Sequence, residues 1–151
     1  MVQGKWFPQG GDLTEPLALR REIFARGRDA LDEEAQQVVV YEEGVPVGTA
    51  RLWWAQGAFH LGDVGVLPQR RGQGFGDLLV RLALYKALLH QGREVRLAAP
   101  QAIVPFFARY GFVPDPGIAR GELVPMGIRA EEIRLDGCGS CRGCRANPKE
   151  G

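Results

Sequence analysis

The fold of this 151-residue chain is decided by segment 64–76, Val64-Gly65-Val66-Leu67-Pro68-Gln69-Arg70-Arg71-Gly72-Gln73-Gly74-Phe75-Gly76. It begins as the end of a strand, passes through three glycines at alternate positions, and leads into apolar residues with helical spacing. Glycine allows positive φ and close approach of a ligand to the main chain. A helix N-terminus presents unpaired N–H groups and a partial positive charge. The segment therefore predicts a main-chain site for a phosphate or pyrophosphate, with Arg70 and Arg71 as neighbouring cations.

Two common nucleotide-binding motifs do not fit this loop. A P-loop needs Gly-Lys followed by Ser or Thr, and the loop has neither that lysine nor a hydroxyl. The dinucleotide fingerprint needs G-x-G-x-x-G in a parallel βαβ unit, whereas the glycines here stand at 72, 74 and 76 and the preceding strands read as antiparallel. A plain glycine turn is the alternative. The preceding strand, the amphipathic helix that follows and the two arginines weigh against it.

The pattern on either side of the loop predicts an α/β domain. Short β-branched runs separated by turn signals indicate an antiparallel meander before the loop, and the apolar spacing after it indicates a helix that Gly92 ends. In chain order, the predicted elements are a helix from Thr14 with Thr14 as N-cap, a short helical piece over 29–35, strands over 37–41, 47–54 and 58–67, the helix after the loop, a strand over 94–99, a helix over 103–110, and strands over 112–113 and 124–128.

Composition places the chain among globular domains. Hydrophobic residues make up 45% and charged residues 25%, which predicts one domain over 1–135 and a Cys/Gly-rich tail over 136–151. The N-terminus lacks the apolar stretch of a signal peptide and the chain has no membrane-length apolar run, so we expect a cytoplasmic protein without a membrane partner. The net charge of +1 gives no electrostatic footprint for nucleic acid. The oligomeric state stays open, with a homodimer as one option.

The loop also resembles the acyl-CoA signature of the GNAT N-acetyltransferase superfamily, Arg/Gln-x-x-Gly-x-Gly/Ala, in Arg71-Gly72-Gln73-Gly74-Phe75-Gly76. Segment 47–52 is similar to the second hairpin strand of that family, and segment 105–112 is similar to its late Phe-Tyr-x-x-x-Gly-Phe motif. The resemblance covers about residues 13–129. It implies an α/β (α+β) fold in which a central mixed, mostly antiparallel twisted sheet has splayed parallel central strands and helices on both faces.

The same resemblance implies an enzyme that transfers an acetyl group from acetyl-CoA to a primary amine of a small molecule or protein. The amine would attack the thioester directly. The resemblance implies that the main chain of Val64, Gly65 and Val66 pairs with the pantetheine arm. It also implies that the pyrophosphate sits on the loop residues Arg71, Gly72, Gln73, Gly74, Phe75 and Gly76.

Three residues are candidates for moving protons in that reaction. His60 lies on the strand beside the predicted thioester and is expected on the same strand face as Gly62, Val64 and Val66. It can accept a proton at neutral pH. The family usually places a tyrosine acid in the late motif, but Phe107 stands there, so Tyr110, about one helical turn on, is the candidate acid. Glu122 is a further acidic candidate. For His60 and Tyr110, simple packing is the alternative.

Two pairs of residues lie near the predicted acceptor side. Asp29 and Asp32 are expected on its rim, where they would select a cationic amine; capping or solvation is the alternative. Trp53 and Trp54 point to opposite strand faces. One is predicted to be a core residue, and the other to face outward or line the cleft.

The remaining features leave other functions open. Phe107 and Pro100 depart from the family pattern, which favours a non-catalytic acyl-CoA-binding sensor as the alternative function. The tail contains Cys138, Cys141 and Cys144 in a C-x2-C-x2-C spacing that can hold zinc, although structural zinc usually has four ligands. A reduced tail without metal and a redox disulfide are the alternatives. A metal- or redox-responsive regulator is the corresponding third function.

Overall fold

A computed structural model of the chain describes residues 1–116 and 122–135. Helices are interspersed with strands along these residues, as the α/β prediction requires. The chain forms two compact units, Met1–Gly92 and a second unit that begins at Arg93. In the described part, no helix combines the length and the apolar character needed to cross a membrane.

The first unit contains a four-stranded antiparallel sheet. Its strands pair in chain order: β1 Val2–Phe7, β2 Gln36–Glu42, β3 Val45–Ala55 and β4 Ala58–Val66. Two-residue turns join β2 to β3 and β3 to β4. Both residues of each turn have positive φ, 52° and 80° at Glu43 and Gly44, and 56° and 78° at Gln56 and Gly57. This turn geometry matches the right-handed twist of the strands, and the predicted meander is confirmed.

Two α-helices cover the two faces of this sheet. Helix α1 (Thr14–Phe24) buries Leu19 with Phe7 and Val39. Helix α2 (Phe75–Leu89) lies on the other face. Buried α2 side chains at helical spacing are Phe75, Leu79, Val80, Ala83, Leu84 and Ala87. The predicted helix after the glycine loop is therefore confirmed, and it positions that loop at its N-terminus.

The ends of the helical segments differ in detail from prediction. Leu13 is the N-cap of α1, so the prediction of Thr14 as the cap is wrong; Thr14 instead donates its N–H to Asp12 Oδ1 at 3.0 Å. The short helical piece is a 3₁₀ turn, Ala30–Glu33, with Asp29 as N-cap. Side chains of Asp29 and Asp32 form a reciprocal capping box there, as the capping alternative predicted.

Strand β1 was not predicted from the sequence. Its residues Val2 to Lys5 are exposed and only Phe7 at its end is buried, so the strand carries no regular alternation of apolar residues. It forms because its main chain pairs with β2, from Val2 opposite Glu42 to Phe7 opposite Gln37. Pairing of this kind depends on a distant strand and leaves no local pattern.

The second unit contains strands β5 (Glu94–Pro100), β6 (Val113–Pro114) and β7 (Leu123–Arg129), with β7 paired antiparallel to both others. Helix α3 (Val104–Ala108) is shorter than the predicted 103–110, and a 3₁₀ turn precedes it at Gln101–Ile103. Gly111, at φ 111°, turns the chain after it. The core of this unit includes Tyr110, Phe112 and Met126.

Candidate functional site

The glycine loop joins β4 to α2 in the geometry of an anion-binding turn. Gly72 and Gly74 have φ of 80° and 90°, a conformation that favours glycine, and Gly74 is the N-cap of α2. The first helical hydrogen bond runs from Leu78 N–H to Gly74 O at 3.1 Å. The N–H groups of residues 75–77 precede it and point out of the helix end. Residues 71–74 are exposed, so a phosphate can reach these donors.

The two arginines before the loop attach it to the sheet. Arg70 forms an ion pair with Glu42 at the end of β2. Arg71 donates from Nε to the main-chain oxygen of Val66 at 3.1 Å. Arg70 is therefore already paired with a carboxylate, whereas the sequence suggested two cations available to a phosphate.

The end of β4 presents main-chain groups at the edge away from β3. Leu67 N–H donates to Val47 O at 2.9 Å, on the β3 side. Because successive residues direct their main-chain groups to opposite edges, Val66 directs its N–H and C=O away from β3. The bond from Arg71 Nε to Val66 O lies at that edge. Val64 and Gly65 are half-buried, and Val66 is buried.

A β-bulge interrupts β4 in front of this segment. Thr49 is opposite Gly65 and Arg51 is opposite Gly62, so two steps on β3 match three steps on β4. Asp63 has a φ of 50°, a left-handed conformation that aspartate tolerates better than most residues. The extra residue puts Gly62 and Gly65 on the same face, although residues three apart in a regular strand face opposite ways.

Because of the bulge, His60, the candidate base, does not lie on the same strand face as Val66, contrary to the prediction from the sequence. Gly65 lies on the face of α1, since a Cβ there would be 2.6 Å from Phe24 Cζ. Val66, one residue on, faces α2. His60 is on the face of Gly62, because the bulge comes after both. The expectation that His60 shares a face with Val66 is therefore wrong.

A cluster of charged side chains is buried between α1 and the sheet. Arg20, 1% exposed, donates to both carboxylate oxygens of Asp32 at 2.8 and 2.7 Å and to Gln37 Oε1 at 3.0 Å. Arg51, 5% exposed, donates to both oxygens of Asp29 at 2.7 and 3.0 Å. The cluster connects α1, the 3₁₀ turn, β2 and β3 through charge-assisted hydrogen bonds.

These contacts determine the charge states of the two aspartates. Burial disfavours the charged form of Asp32, but hydrogen bonds from Arg20 and the main-chain N–H of Asp29 outweigh burial and hold the pKa of its carboxyl well below the usual range. The hydrogen bond from Arg51 lowers the pKa of Asp29. Both carboxylates are ionised at neutral pH and already paired with arginine. The sequence suggested that these two carboxylates select a cationic acceptor amine. In the structure, arginine side chains already occupy that place.

Asp63 joins the cluster from the bulge. Its Oδ1 accepts from Arg26 at 2.5 Å, and its Oδ2 lies 3.1 Å from Arg51 Nη2 and 3.6 Å from Arg20 Nε. The side chain is 13% exposed. The bulge thus places a carboxylate, held by arginines, directly beside the main-chain segment 64–66.

His60 lies near the start of β4, before the bulge, and packs against the ring of Trp53. It stacks on Trp53 with 5.5 Å between ring centroids and a 15° interplanar angle. Its Nε2 is 3.1 Å from Ala55 O, and because a carbonyl only accepts, Nε2 carries a proton in this bond. Nδ1 is then the nitrogen left to accept a proton. Trp53 is half-buried and Trp54 is 52% exposed, so the prediction that one of them belongs to the core is wrong.

The other catalytic candidates lie in the second unit. Tyr110 is 2% exposed, packs edge-to-face on Phe106 at 5.8 Å, and its hydroxyl is 3.5 Å from Arg109 Nη2. This environment suits the packing alternative for Tyr110. Phe107, at the family's tyrosine position, is 6% exposed and packs on Phe112. Glu122 is exposed, directly before β7.

The predicted metal ligands Cys138, Cys141 and Cys144 lie outside the described residues. Within residues 1–116 and 122–135, no group of three or more His, Cys, Asp or Glu side chains could hold a metal ion. Nothing in the described part of the chain therefore supports zinc.

Sequence reasoning missed Arg20, Gln37 and Arg51. A signal for Arg20 was present, because it follows Pro16 and Leu19 on the buried face of α1. Arg51 lies between the buried Ala50 and Leu52 of β3. Charged residues at predicted core positions indicate paired charges. Their partners, however, come from separate elements and could not be identified from spacing.

Comparison with known proteins gives four likenesses, namely a family model, one curated relative and two solved structures. Residues 33–114 match the family model of the acetyltransferase (GNAT) domain. The uncharacterized N-acetyltransferase YjcF of Bacillus subtilis is 29% identical over 109 residues, which are 66% of this chain and 77% of that protein.

Among solved structures, an acyl-CoA N-acyltransferase from Pseudomonas aeruginosa has a TM-score of 0.74 and 24% identity, over 84% of this chain and 99% of that one. A GNAT family acetyltransferase from Elizabethkingia anophelis with acetyl-CoA bound has a TM-score of 0.68 and 12% identity, over 85% of this chain and 97% of that one. These likenesses confirm the α/β fold class predicted from the sequence.

Proposed function

The chain belongs to the GNAT family of N-acetyltransferases, and on that premise we propose that it transfers an acetyl group from acetyl-CoA to a primary amine of a small molecule or protein. The observation that carries the proposal is the loop at the start of α2. Its positive-φ glycines and exposed helix N-terminus suit a pyrophosphate. This loop also carries the motif by which the sequence resembles the family.

In this proposal, the main chain does most of the cofactor binding. The N–H groups of residues 71–76 hold the pyrophosphate of acetyl-CoA. The pantetheine arm pairs with Val64, Gly65 and Val66 at the edge of β4 away from β3. A pantetheine amide that donates to Val66 O takes the place of Arg71 Nε, which releases the Arg71 side chain toward the phosphates.

The reaction is a direct transfer. The amine nitrogen attacks the thioester carbonyl carbon, a C–N bond forms, and the C–S bond breaks. The nitrogen loses a proton and the leaving CoA sulfur gains one, so the products are the N-acetyl amine and free CoA. His60, through Nδ1, is our candidate for accepting the amine proton, directly or through one water. Tyr110 and Glu122 stay predictions for the protonation of the leaving thiolate and for acceptor contact.

Thermal unfolding with single ligands tests the proposal. A ligand at one hundred times its Kd adds about 2.7 kcal/mol of stability. For a domain of this size that raises Tm by about 5–11 °C. We expect this rise with acetyl-CoA and with CoA and none with NAD or ATP, followed by release of CoA when an amine is added. If neither CoA species raises Tm, the proposed loop function is refuted.

A glycine substitution tests the loop itself. Gly74→Val forces a branched side chain onto a φ of 90° and alters the main-chain donors at the helix start, so we expect the rise in Tm with CoA to disappear. Gly44→Val is the matched control, because Gly44 has a φ of 80° in the β2–β3 turn. Nothing lies within 4 Å of a Cβ at either glycine. Both variants therefore carry similar backbone strain, but only Gly74→Val should lose CoA binding. Unchanged CoA affinity in Gly74→Val would contradict the assignment.

A non-catalytic acyl-CoA sensor is the second candidate. Phe107 favours it, since this buried ring at the family's tyrosine position has no proton to donate. A rise in Tm with CoA and no acetylation of any amine would favour the sensor over the transferase.

A further inference from the structure

Two buried polar atoms of the charged cluster have no hydrogen-bond partner in the part of the chain that the structure describes. They are Arg51 Nε and Asp63 Oδ2. The Arg51 side chain is 6% exposed and the Asp63 side chain is 13% exposed. A buried donor or acceptor without a partner is costly, so native proteins rarely keep one without a reason.

The two atoms belong to groups that touch each other. Arg51 Nη2 is 3.1 Å from Asp63 Oδ2. Asp63 Oδ2 is thus ion-paired with Arg51, and it also lies 3.6 Å from Arg20 Nε, although it accepts no hydrogen bond from either. Nε and Nη2 of Arg51 are bonded to the same carbon, so the N–H donor and the oxygen acceptor that lack hydrogen bonds lie side by side. Arg51 uses its other nitrogens on Asp29 and Asp32, and Arg26 binds the other oxygen of Asp63. One donor and one acceptor therefore remain without a hydrogen bond among the described residues.

The main chain beside this pair has an unusual conformation. Asp63 has a φ of 50° inside a strand, the kind of strain that persists where it serves a function. Its neighbour Gly62 is half-exposed, and a Cβ on Gly62 would lie 4.0 Å from Arg51 Nε and 2.9 Å from the Trp53 ring. The glycine therefore brings no side chain of its own against Arg51 Nε, which is buried, and the Trp53 ring lies over the Arg51 guanidinium at 5.4 Å. Trp53 forms a half-buried wall next to it.

The balance of charge around the pair indicates the kind of ligand. Three arginines (Arg20, Arg26, Arg51) face three aspartates (Asp29, Asp32, Asp63) in this cluster. The cluster as a whole therefore favours neither a cation nor an anion. A ligand that brings an N–H donor and an oxygen acceptor on neighbouring carbons matches the pair.

We propose that Arg51 and Asp63 select an acceptor whose amine lies next to a carbonyl or carboxylate, the N–C–C=O arrangement of an α-amino acid or a polypeptide N-terminus. This inference rests on the acetyltransferase function proposed above. The acceptor amine donates an N–H to Asp63 Oδ2, and the neighbouring oxygen accepts from Arg51 Nε. The amine is then held at the bulge of β4, beside the segment that we assign to the pantetheine arm.

A simple alkylamine or a lysine side chain satisfies only half of this pair. Its amine can reach Asp63, but it has no oxygen for Arg51 Nε, so a charge-assisted hydrogen bond is lost. We expect α-amino acceptors to exceed such amines by about tenfold or more in kcat/KM.

The test measures release of CoA thiol by the full chain with a set of matched acceptors. Glycine, glycinamide and a lysine-free peptide with a free N-terminus form one group. Propylamine and an N-terminally blocked peptide with one lysine form the other. The proposal requires the first group to be preferred. Within the first group, preference for glycine indicates that the acceptor is a free amino acid. Preference for the peptide indicates that the acceptor is a polypeptide N-terminus.

Arg51→Lys tests the assigned donor, because it keeps the positive charge and removes Nε–H at this position. We expect a larger loss of kcat/KM for glycinamide than for propylamine, chiefly through KM, so that the preference falls. Arg129→Lys, an exposed change on β7, is the control and should keep the preference. A preference that Arg51→Lys leaves intact overturns the role of Arg51.

The comparison of acceptors with the wild-type chain needs no variant. It therefore tests the inference even if Arg51→Lys does not fold. Equal kcat/KM for glycinamide and propylamine overturns the inference and leaves the transferase function standing. If CoA binds but neither group of amines is acetylated, the transferase function fails, and the inference fails with it.

Discussion

His60 is the residue at which the proposed chemistry can be tested most directly. Its Nε2 is bound to Ala55 O and its ring stacks on Trp53, so Nδ1 is the atom left to take a proton. A histidine base loses activity when it becomes protonated, so kcat/KM should fall toward acid pH. We expect His60→Gln to lower kcat/KM by about 10²–10⁴ and to flatten this acid limb, measured as a pH–rate profile.

The chain offers a matched control for that experiment. Its other histidine, His90, is the exposed C-cap residue of α2. His90→Gln should leave both the rate and the pH profile as in the wild type. An acid limb that persists in His60→Gln would transfer the base role to another group, and Asp63 at the bulge would be the next residue to test.

The buried charged cluster acts between elements, since it joins α1 and the 3₁₀ turn to β2 and β3. Asp32 is its central acceptor, bound by Arg20, Arg51 and Gln37. Removing one partner of a buried ion pair leaves charge uncompensated and costs about 3–5 kcal/mol. We expect Asp32→Asn to lower the free energy of unfolding by about 3 kcal/mol or more at pH 7, measured by urea denaturation.

The pH dependence of this loss follows from the lowered pKa of Asp32. A carboxyl with a depressed folded-state pKa stabilises the protein fully above its unfolded-state pKa, which is about 3.9. That contribution disappears as pH falls through the lower, folded-state pKa. The difference between wild type and Asp32→Asn should therefore be constant above about pH 5 and shrink below about pH 4.

The control for Asp32 is a partly exposed ion pair within one helix. Asp77 and Arg81 form an i,i+4 pair on α2 at 2.9 Å. Asp77→Asn should cost only about 0.5 kcal/mol. Equal losses of unfolding free energy for Asp77→Asn and Asp32→Asn would contradict the view that burial makes the ion pairs of the cluster contribute more to stability.

How far the sequence predicted the fold depended on whether each element has a local pattern. Helix α2 and strands β2 to β4 were predicted because apolar spacing, turn glycines and burial agree along short segments. The glycine loop was predicted for the same reason. Strand β1 is mostly exposed and exists only through pairing with β2. The bulge at Asp63 inserts one residue into an otherwise regular strand, which alternation alone does not reveal.

The candidate site also has one part that the sequence predicts and one part that it does not. The donors for a pyrophosphate are consecutive main-chain groups, so a motif of six residues is enough to indicate them. The acceptor side that we propose consists of Arg51 on β3 and Asp63 on β4, and Arg20 on α1 lies next to Asp63. Such side chains meet only through the register of the sheet and the position of a helix. Spacing along the chain cannot bring them together.

At the scale of the whole molecule, the charge of the chain is nearly balanced. Its net charge is +1 and its sequence pI is about 7.7. Net charge of this size gives little long-range attraction for either sign of ligand. Under the proposed function, selection of an acceptor would therefore depend on local groups such as the neutral cluster around Arg51 and Asp63.

The cysteine tail is best tested on the intact chain. Structural zinc usually takes four protein ligands, and the motif supplies three thiolates, Cys138, Cys141 and Cys144. A bound structural metal contributes free energy to the fold, so its removal would lower Tm. We expect far less than one zinc per purified chain and the same Tm with and without EDTA. One zinc per chain, with a drop in Tm on chelation that Cys141→Ser reproduces, would overturn this expectation and give the tail a structural role.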